Sequence, residues 1–181
     1  MIETERLLLR RWKESDREPF ARMNADPLVM EFLGPLLSRE QTVALIEHAE
    51  NHFDKHGFGP YAVELRETGE FAGFVGISVP TFQAHFTPCV EIGWRLKSES
   101  WGRGYATEGA RRVVRHAFFE IGLNNLVSFT AEANLRSRRV MEKLGMSHVE
   151  EDDFDHPRVP AGSPLRRHVL YRLEKERPPA V

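Results

Sequence analysis

Apolar residues recur along the chain with two spacings, one typical of helices and one typical of strands. Helical spacing, with apolar side chains three and four positions apart, is clearest between Leu45 and Phe53. We expect this helix to begin at Ser38, which can form a capping box with Gln41. Gly57 follows the last turn and is typical of a helix end.

Read in the same way, the rest of the chain predicts an alternation of strands and helices. The predicted strands cover residues 7–9, 61–65, 71–79, 90–96, 126–131, 146–150 and 168–173, and the predicted helices cover 15–26, 38–56, 107–121 and 134–144. Ser15 is the predicted cap of the first helix.

The element order β-α-α-β-β-β-α-β-α-β-β predicts an α/β fold in a single domain. Three consecutive strands with short links, over residues 61–96, are typical of an antiparallel meander. The sheet is therefore expected to be mixed and mostly antiparallel, with helices flanking it. We assign residues 1–175 to the domain and 176–181 to a C-terminal tail.

Gly102 and Gly104 lie between a predicted strand and a predicted helix. A glycine loop that leads into a helix presents backbone N–H groups without internal partners, beside the positive end of the helix dipole. A side chain in such a loop would hold a phosphate away from the backbone. Residues 101–109 therefore indicate a phosphate site, although a tight turn that binds nothing explains Gly-x-Gly alone equally well.

This loop does not match the two commonest nucleotide-binding fingerprints. The nicotinamide fingerprint needs a third glycine three residues after the second, where this chain has Thr107. A Walker loop needs Gly-Lys followed by Ser or Thr, whereas Gly109 is followed by Ala110 and Arg111. A phosphorylated ligand of another class is favoured.

Composition limits the classes of partner. The 181 residues include 25 basic and 27 acidic side chains, and the net charge of −2 gives no general attraction to nucleic acid or anionic membrane. No apolar run is long enough to span a membrane, and we expect no signal peptide at the N-terminus. Because Cys89 is the only cysteine, no intramolecular disulfide can form, and we expect a cytoplasmic protein.

Two groups of residues suggest other chemistry. His48, His52 and His56 lie four residues apart and could share a metal, but no acidic or cysteine ligand is placed beside them. We therefore expect a solvated helix flank and no metal. Cys89 could be a nucleophile, but it has no assigned base, and a small buried apolar residue is the preferred interpretation.

Two segments together resemble the GNAT superfamily of acyl-CoA-dependent N-acetyltransferases. The first is Glu-Ile-Gly-Trp-Arg-Leu at residues 91–96, followed by Trp-Gly-Arg-Gly-Tyr-Ala at 101–106. The second is Asn-Leu-Arg-Ser-Arg-Arg-Val-Met-Glu-Lys-Leu-Gly-Met at 134–146. The opening and closing segments, 2–10, 155–157 and 167–171, resemble the Rim-type branch, whose members acetylate ribosomal-protein N-termini. Trp101 stands where the wider superfamily has Gln or Arg, and it is usual in this branch.

The resemblance implies a cleft for acetyl-CoA. Backbone N–H groups of residues 102–107 would hold the pyrophosphate, and residues 94–96 would pair with pantetheine as an added strand does. A strand N–H would stabilise the oxyanion of the tetrahedral intermediate. The residues expected to bind the cofactor are Trp94, Arg95, Leu96, Trp101, Gly102, Arg103, Gly104, Tyr105, Ala106, Thr107, Asn134 and Ser137.

The resemblance also implies direct attack of an amine on the thioester. The amine must first lose a proton, and Glu91, on the strand that leads to the cleft, is the candidate base acting through water. A structural pair or a solvent-facing position is the alternative for Glu91. Ser137 shares a helix face with Asn134 and is the candidate acid for the leaving thiolate. Many members use a tyrosine on this helix, which has none here, and we assign Tyr105 to loop packing.

The acceptor is a protein N-terminus or a small amine, and the sequence does not choose between them. Its specificity is expected to lie in the loops at residues 32–37, 80–88 and 154–164. A CoA-binding sensor or interaction module without turnover is the alternative function, because it would keep the loop and lack the acid–base pair. Edge strands allow either a monomer or a homodimer.

Overall fold

Nine strands and five α-helices build residues 1–175, the part of the chain that this computed structural model describes. The predicted tail, 176–181, lies outside the described residues. The strands are β1 (Ile2–Glu3), β2 (Leu7–Arg10), β3 (Pro60–Leu65), β4 (Phe71–Ser78), β5 (Glu91–Leu96), β6 (Asn125–Ala131), β7 (Ser147–His148), β8 (Phe154–Asp155) and β9 (Arg167–Glu174). The α-helices are α1 (Arg17–Asn24), α2 (Pro27–Met30), α3 (Arg39–His56), α4 (Tyr105–Arg115) and α5 (Leu135–Lys143).

The strands form one mixed sheet in the order β1-β2-β3-β4-β5-β6-β9-β7, with β8 also pairing with β9. All of these pairs are antiparallel except β5 with β6, which is parallel. The predicted meander is confirmed as β3-β4-β5, and the fold is the predicted single-domain α/β sheet flanked by helices.

Helices cover both faces of the sheet. Phe20 of α1 and Ile46 of α3 pack in a cluster with Phe74 of β4, while Val113 of α4 packs in another cluster with Val75. Since Phe74 and Val75 are successive strand residues, their side chains point to opposite faces. None of the helices in residues 1–175 is long and apolar enough to cross a membrane.

The sequence locates the long helix well and misses the shortest elements. The predicted capping box of α3 is confirmed, because the Ser38 N–H donates to Gln41 Oε1 and the Gln41 N–H donates to Ser38 Oγ. The strands β1 and β8 and the helix α2 were not predicted, since two to four residues are too few to show a period. The predicted strand 146–150 shrinks to two residues, and a short helical turn at Glu150–Asp152 follows it.

The predicted cap at Ser15 is wrong. A 3-10 turn, Glu14–Asp16, precedes α1, and the Asp16 carboxylate accepts the Lys13 N–H at 2.8 Å. Asp16, and not Ser15, therefore organises this end of the helix. Arg10 on β2, which is buried, holds Asp16 in place through hydrogen bonds at 2.7 and 2.9 Å, and capping-box spacing does not reveal this contact between strand and turn.

The strands β5 and β6 diverge after a single paired position. Glu91 pairs with Val127, and the Val127 N–H donates to the Val90 carbonyl at 2.9 Å. Beyond this position β5 continues beside β4 and β6 continues beside β9. Within residues 1–175, the edge of β5 that faces β6 therefore has no strand partner from Ile92 to Leu96.

Candidate active site

A cavity of about 750 Å³ opens where β5 and β6 diverge. It is lined by β5, by the start of α4, by one face of α5 and by α1–α3. Every residue predicted for catalysis or cofactor binding lines it except Arg103. The Arg103 side chain is exposed, and its carbonyl accepts a hydrogen bond from Arg6 Nη1 at 3.0 Å.

The glycine loop presents free backbone donors to this cavity. Gly102 and Gly104 have φ of 73° and 79°, the left-handed region that glycine adopts without strain. Gly104 caps α4, which begins at Tyr105, two residues earlier than predicted. The N–H groups of residues 102–107 donate to no other residue in the range 1–175. They form the kind of backbone cradle that binds phosphate at a helix N-terminus.

Arg6 holds this loop in position. Its Nε and Nη2 donate to the Glu108 carboxylate at 2.7 and 2.6 Å, and its guanidinium lies 4.7 Å from the ring centroid of Tyr105. Glu108 also accepts a hydrogen bond from Thr4 Oγ1 at 2.6 Å. The opening of the chain thus fixes both the backbone of the loop and the first turn of α4.

The exposed edge of β5 offers a second kind of contact. Trp94 and Leu96 line the cavity, and their strand has no partner on that side among the described residues. The indole of Trp101 donates to the Leu96 carbonyl at 2.9 Å and joins the strand to the loop. An extended chain that contains amide groups can pair with such an edge as an added strand.

Asn134 and Ser137 stand on α5, on the opposite side of the gap. Asn134 caps the helix, because its Oδ1 accepts the Ser137 N–H at 3.2 Å and its Nδ2 donates to Thr130 Oγ1 at 2.9 Å. The Ser137 hydroxyl lines the cavity and makes no hydrogen bond within residues 1–175. The Asn134 side chain therefore stabilises the start of α5, while the Ser137 hydroxyl is free to donate a hydrogen bond into the gap.

Glu91 lies at the point of divergence. Its carboxyl group lines the cavity, and a Cβ placed on Gly93 would lie 3.8 Å from Glu91 Oε1. It has no ion-pair or hydrogen-bond partner among the described residues, and burial raises the pKa of Glu91 to about 8. A carboxyl group with a pKa in this range can accept a proton near neutral pH.

Several cavity residues were not predicted for the site. Arg139 and Lys143 of α5 line the same cavity as Ser137, and the i, i+3, i+7 spacing of Arg136, Arg139 and Lys143 would have placed basic residues on one helix face. Arg136 lies 4.4 Å from the ring centroid of Trp101 and pairs with Glu31 at 2.7 Å, which bridges the gap from α5 to α2. All three loops expected to carry acceptor specificity contribute lining residues, namely Phe32, Leu33, Pro80, Thr81, Phe82, His156 and Arg158.

Two other predictions concern His52 and Cys89. His52 is buried rather than solvated, since its Nδ1 contacts the Phe58 carbonyl at 2.7 Å and its Nε2 accepts the Val79 N–H at 3.0 Å. Both ring nitrogens are occupied, and burial lowers its pKa, so His52 is a neutral structural residue. Burial also raises the pKa of Cys89 to about 11, which makes its thiol a poor nucleophile.

Comparison with known proteins gives the family. Residues 6–147 match the model of the acetyltransferase (GNAT) domain. The FsC-acetyl coenzyme A-N(2)-transacetylase of Aspergillus fumigatus is 35% identical over 165 residues, which cover 86% of this chain and 69% of that protein.

Solved structures share the fold over nearly the whole chain. An acetyltransferase of Agrobacterium tumefaciens is 29% identical with a TM-score of 0.77, covering 96% of this chain and 94% of that one. RimL, a ribosomal-protein acetyltransferase solved with coenzyme A, is 15% identical with a TM-score of 0.76, covering 94% of this chain and 95% of that one, and shows the fold alone. This chain belongs to the GNAT family of acetyltransferases.

Proposed function

We propose that the protein transfers the acetyl group of acetyl-CoA to a primary amine by direct attack on the thioester. The observation that carries this proposal is the single cavity into which a free phosphate cradle, a free strand edge and a carboxyl group with a raised pKa all open. Each of these features suits a different part of the reaction. Along the gap, the cradle lies beyond the end of β5, the free strand edge comes next, and Glu91 lies at the start of β5.

The pyrophosphate of acetyl-CoA would accept hydrogen bonds from the N–H groups of residues 102–107. The adjacent face of α5 carries Arg139 and Lys143, whose charges favour phosphate in a protein of nearly neutral net charge. Pantetheine would extend along the free edge of β5 toward Glu91. This arrangement places the thioester near the divergence, with Ser137 on the other side of the gap.

The proton transfers follow from this placement. Ionised Glu91 takes a proton from the substrate ammonium through a water molecule, which frees the nitrogen lone pair to attack the thioester carbon. A backbone N–H of β5 stabilises the oxyanion of the tetrahedral intermediate. Collapse of the intermediate breaks the carbon–sulfur bond, and the Ser137 hydroxyl donates a proton to the departing thiolate. The attacking nitrogen then loses its second proton, which returns through water to the Ser137 oxygen and leaves a neutral amide.

The names of similar proteins support an amine acceptor without choosing its size. The relative from Aspergillus fumigatus is named for N(2)-transacetylation from acetyl coenzyme A, and RimL is named for a ribosomal protein. Both a small amine and a protein N-terminus therefore stay within the proposal. We also propose a cytoplasmic location, because a single half-buried cysteine suits a reducing compartment.

Calorimetry with a matched pair of variants tests the cofactor site. Gly104→Trp is expected to abolish acetyl-CoA binding by filling the cradle. Gly69→Trp is the control, because Gly69 has a similar φ of 71° and lies in a hairpin turn outside the cavity. The two variants share the backbone strain, so a binding loss confined to Gly104→Trp supports the site, while absence of binding by the wild type refutes the proposal.

Turnover separates the enzyme from a binding module. Free thiol released from acetyl-CoA should depend on an added amine, and Ser137→Ala should lower kcat by about tenfold or more. Full activity of Ser137→Ala would remove the role assigned to this hydroxyl. Saturable acetyl-CoA binding without thiol release, across peptides, polyamines and amino sugars, would favour the sensor or interaction module.

A further inference from the structure

Arg95 is a half-buried cation on the cavity wall, and it lacks an anionic partner among the described residues. Its Nη1 donates to Asn24 Oδ1 at 2.7 Å, and its guanidinium lies 5.6 Å from the ring centroid of Phe74. Its Nε is buried without any partner, and Nη2 makes no hydrogen bond within residues 1–175. Burial lowers the pKa of Arg95 to about 10.

The guanidinium is held from behind by other buried polar groups. Asn24 is fully buried, and its Nδ2 donates to Thr42 Oγ1 at 3.1 Å. This bond turns the amide so that Oδ1 faces Arg95. A chain of contacts thus runs from α3 through α1 to β5 and fixes the position of a charge that the protein itself does not neutralise.

A guanidinium whose Nε is buried without a partner, and which faces no carboxylate, is unfavourable for the fold alone. It has five N–H donors, and transfer of a charge from water into the interior is compensated only by opposite charge and good hydrogen bonds. Arg136, on the same cavity, has an ion pair with Glu31. No carboxylate among the described residues pairs with Arg95, although its side chain reaches the cavity.

Arg95 and Glu91 face the same part of the cavity. They are separated by four positions on one strand, so their side chains lie on the same face with about 13 Å between the Cα atoms. Gly93 lies between them without a side chain, and a Cβ there would meet only Glu91 within 4 Å. The result is an open trough with a candidate base at one end and a guanidinium at the other.

We propose that Arg95 binds a carboxylate of the acceptor, so that the preferred substrate is a primary amine that carries a carboxylate several bonds away. This inference rests on the proposed function and names the substrate class of the same site. The amine lies near Glu91 and the carboxylate accepts hydrogen bonds from Arg95. A carboxylate on the acyl group of the cofactor has the same chemistry and is distinguished by experiment.

The test compares acceptors that differ only in charge. Unbranched ω-amino acids of three to eight carbons, and dipeptides, are each assayed beside the corresponding terminal amide with acetyl-CoA as the donor. The wild type should favour at least one carboxylate over its amide by about tenfold or more in kcat/KM, as expected for a charge-assisted contact. Equal rates for every acid and its amide would overturn the proposal without any variant.

Variants then assign the preference to Arg95. Arg95→Gln should remove it and Arg95→Lys should keep part of it. Because the ratio of acid to amide is measured within each variant, any change in acetyl-CoA affinity cancels from it. Arg22→Gln is the control, because this arginine lies on α1 with its side chain largely exposed and outside the cavity. Thermal unfolding of each variant verifies that it is folded.

Three outcomes would contradict the inference, and they differ from failure of the proposed function. A carboxylate preference that survives Arg95→Gln would place the recognition elsewhere. Arg95-dependent use of succinyl-CoA in preference to acetyl-CoA would assign the carboxylate to the acyl group. Turnover of amines without carboxylate preference would refute this inference alone, whereas absence of acetyl-CoA binding would refute the proposed function.

Discussion

A buried arginine, Arg10, and a half-buried arginine, Arg95, lie on the same sheet and have opposite surroundings. Arg10 on β2 donates from Nη1 and Nη2 to both Asp16 oxygens, at 2.7 and 2.9 Å, and from Nε to Glu64 at 2.7 Å. The hydrogen bonds to Asp16 are the largest cause of its raised pKa. Arg95 on β5 has one neutral acceptor, and burial lowers its pKa.

Arg10 is neutralised within the protein and stabilises the fold, whereas Arg95 has no anionic partner within residues 1–175 and is available to a ligand. Arg10, Asp16 and Glu64 form a cluster, the Arg10 cluster, that joins β2, β3 and the turn before α1. Its hydrogen bonds compensate for the cost of burying the Arg10 charge. The region around Glu91 and Arg95 leaves two ionisable groups without mutual pairing and opens both to one cavity. Uncompensated burial of ionisable groups in a cleft is a mark of a functional site.

The largest effect is expected when the Arg10 cluster is broken. Asp16→Ala leaves the buried guanidinium with Glu64 as its one anionic partner and should lower the free energy of unfolding by about 3 to 5 kcal/mol. Urea denaturation without ligand measures it. Glu14→Ala, in the same turn, is the control, because Glu14 is exposed and its pair with Arg17 should contribute less than about 1 kcal/mol. Equal losses in both variants would contradict the contrast.

The next effect concerns catalysis. Glu91→Gln should lower kcat by about 100-fold, because the neutral amide cannot accept the ammonium proton. In the wild type, kcat should rise with pH through about 8 as the carboxyl group ionises, and the variant should lack this rise. Stopped assays at saturating amine from pH 6 to 9 measure both.

The matched control for this variant is Glu70→Gln, at an exposed glutamate outside the cavity. It should leave kcat and the pH profile unchanged. If kcat still rose with pH in Glu91→Gln, the titrating group would be a different one, and Glu91 would not be the base of the reaction.

The smallest effect is expected from removal of the unpaired cation. Arg95→Met should change the free energy of unfolding by less than about 1 kcal/mol, because loss of the bond to Asn24 is offset by release from burying a charge. Arg10→Met, which leaves the buried Asp16 without a cationic partner, should lose about 3 to 5 kcal/mol in the same assay. A large loss from Arg95→Met would show that Arg95, too, is part of the fold.

Local signals carried much of the fold prediction. The Ser38 box and Gly57 bound α3 because the cap and the end are encoded within a few residues of the helix itself. The phosphate-binding character of the loop at 101–109 was predicted from the same kind of local signal, since a glycine pair before a helix determines the backbone geometry. The predicted helix starts at Thr107, two residues after the observed start of α4 at Tyr105, which Gly104 caps.

The parts that could not be predicted depend on contacts between distant segments. Asn24 meets Arg95 across 71 positions, and Arg6 meets Glu108 across 102 positions. Neither pair has a spacing that a single sequence reveals. The sequence predicted Arg95 for cofactor binding through the resemblance, whereas its missing counter-charge is visible only once β5, α1 and α3 are assembled.

The single paired position between β5 and β6 also has a consequence for the lifetime of the protein. The strands β1–β5 and β6–β9 form two half-sheets, and few backbone hydrogen bonds join them, so opening of the gap requires less free energy than global unfolding. Amide hydrogens of Trp94 and Leu96 should exchange slowly only when a ligand covers the edge. Acetyl-CoA at 100 times its Kd would stabilise the folded state by about 2.7 kcal/mol. Resistance to proteolysis would then follow the cellular supply of the metabolite that the enzyme consumes.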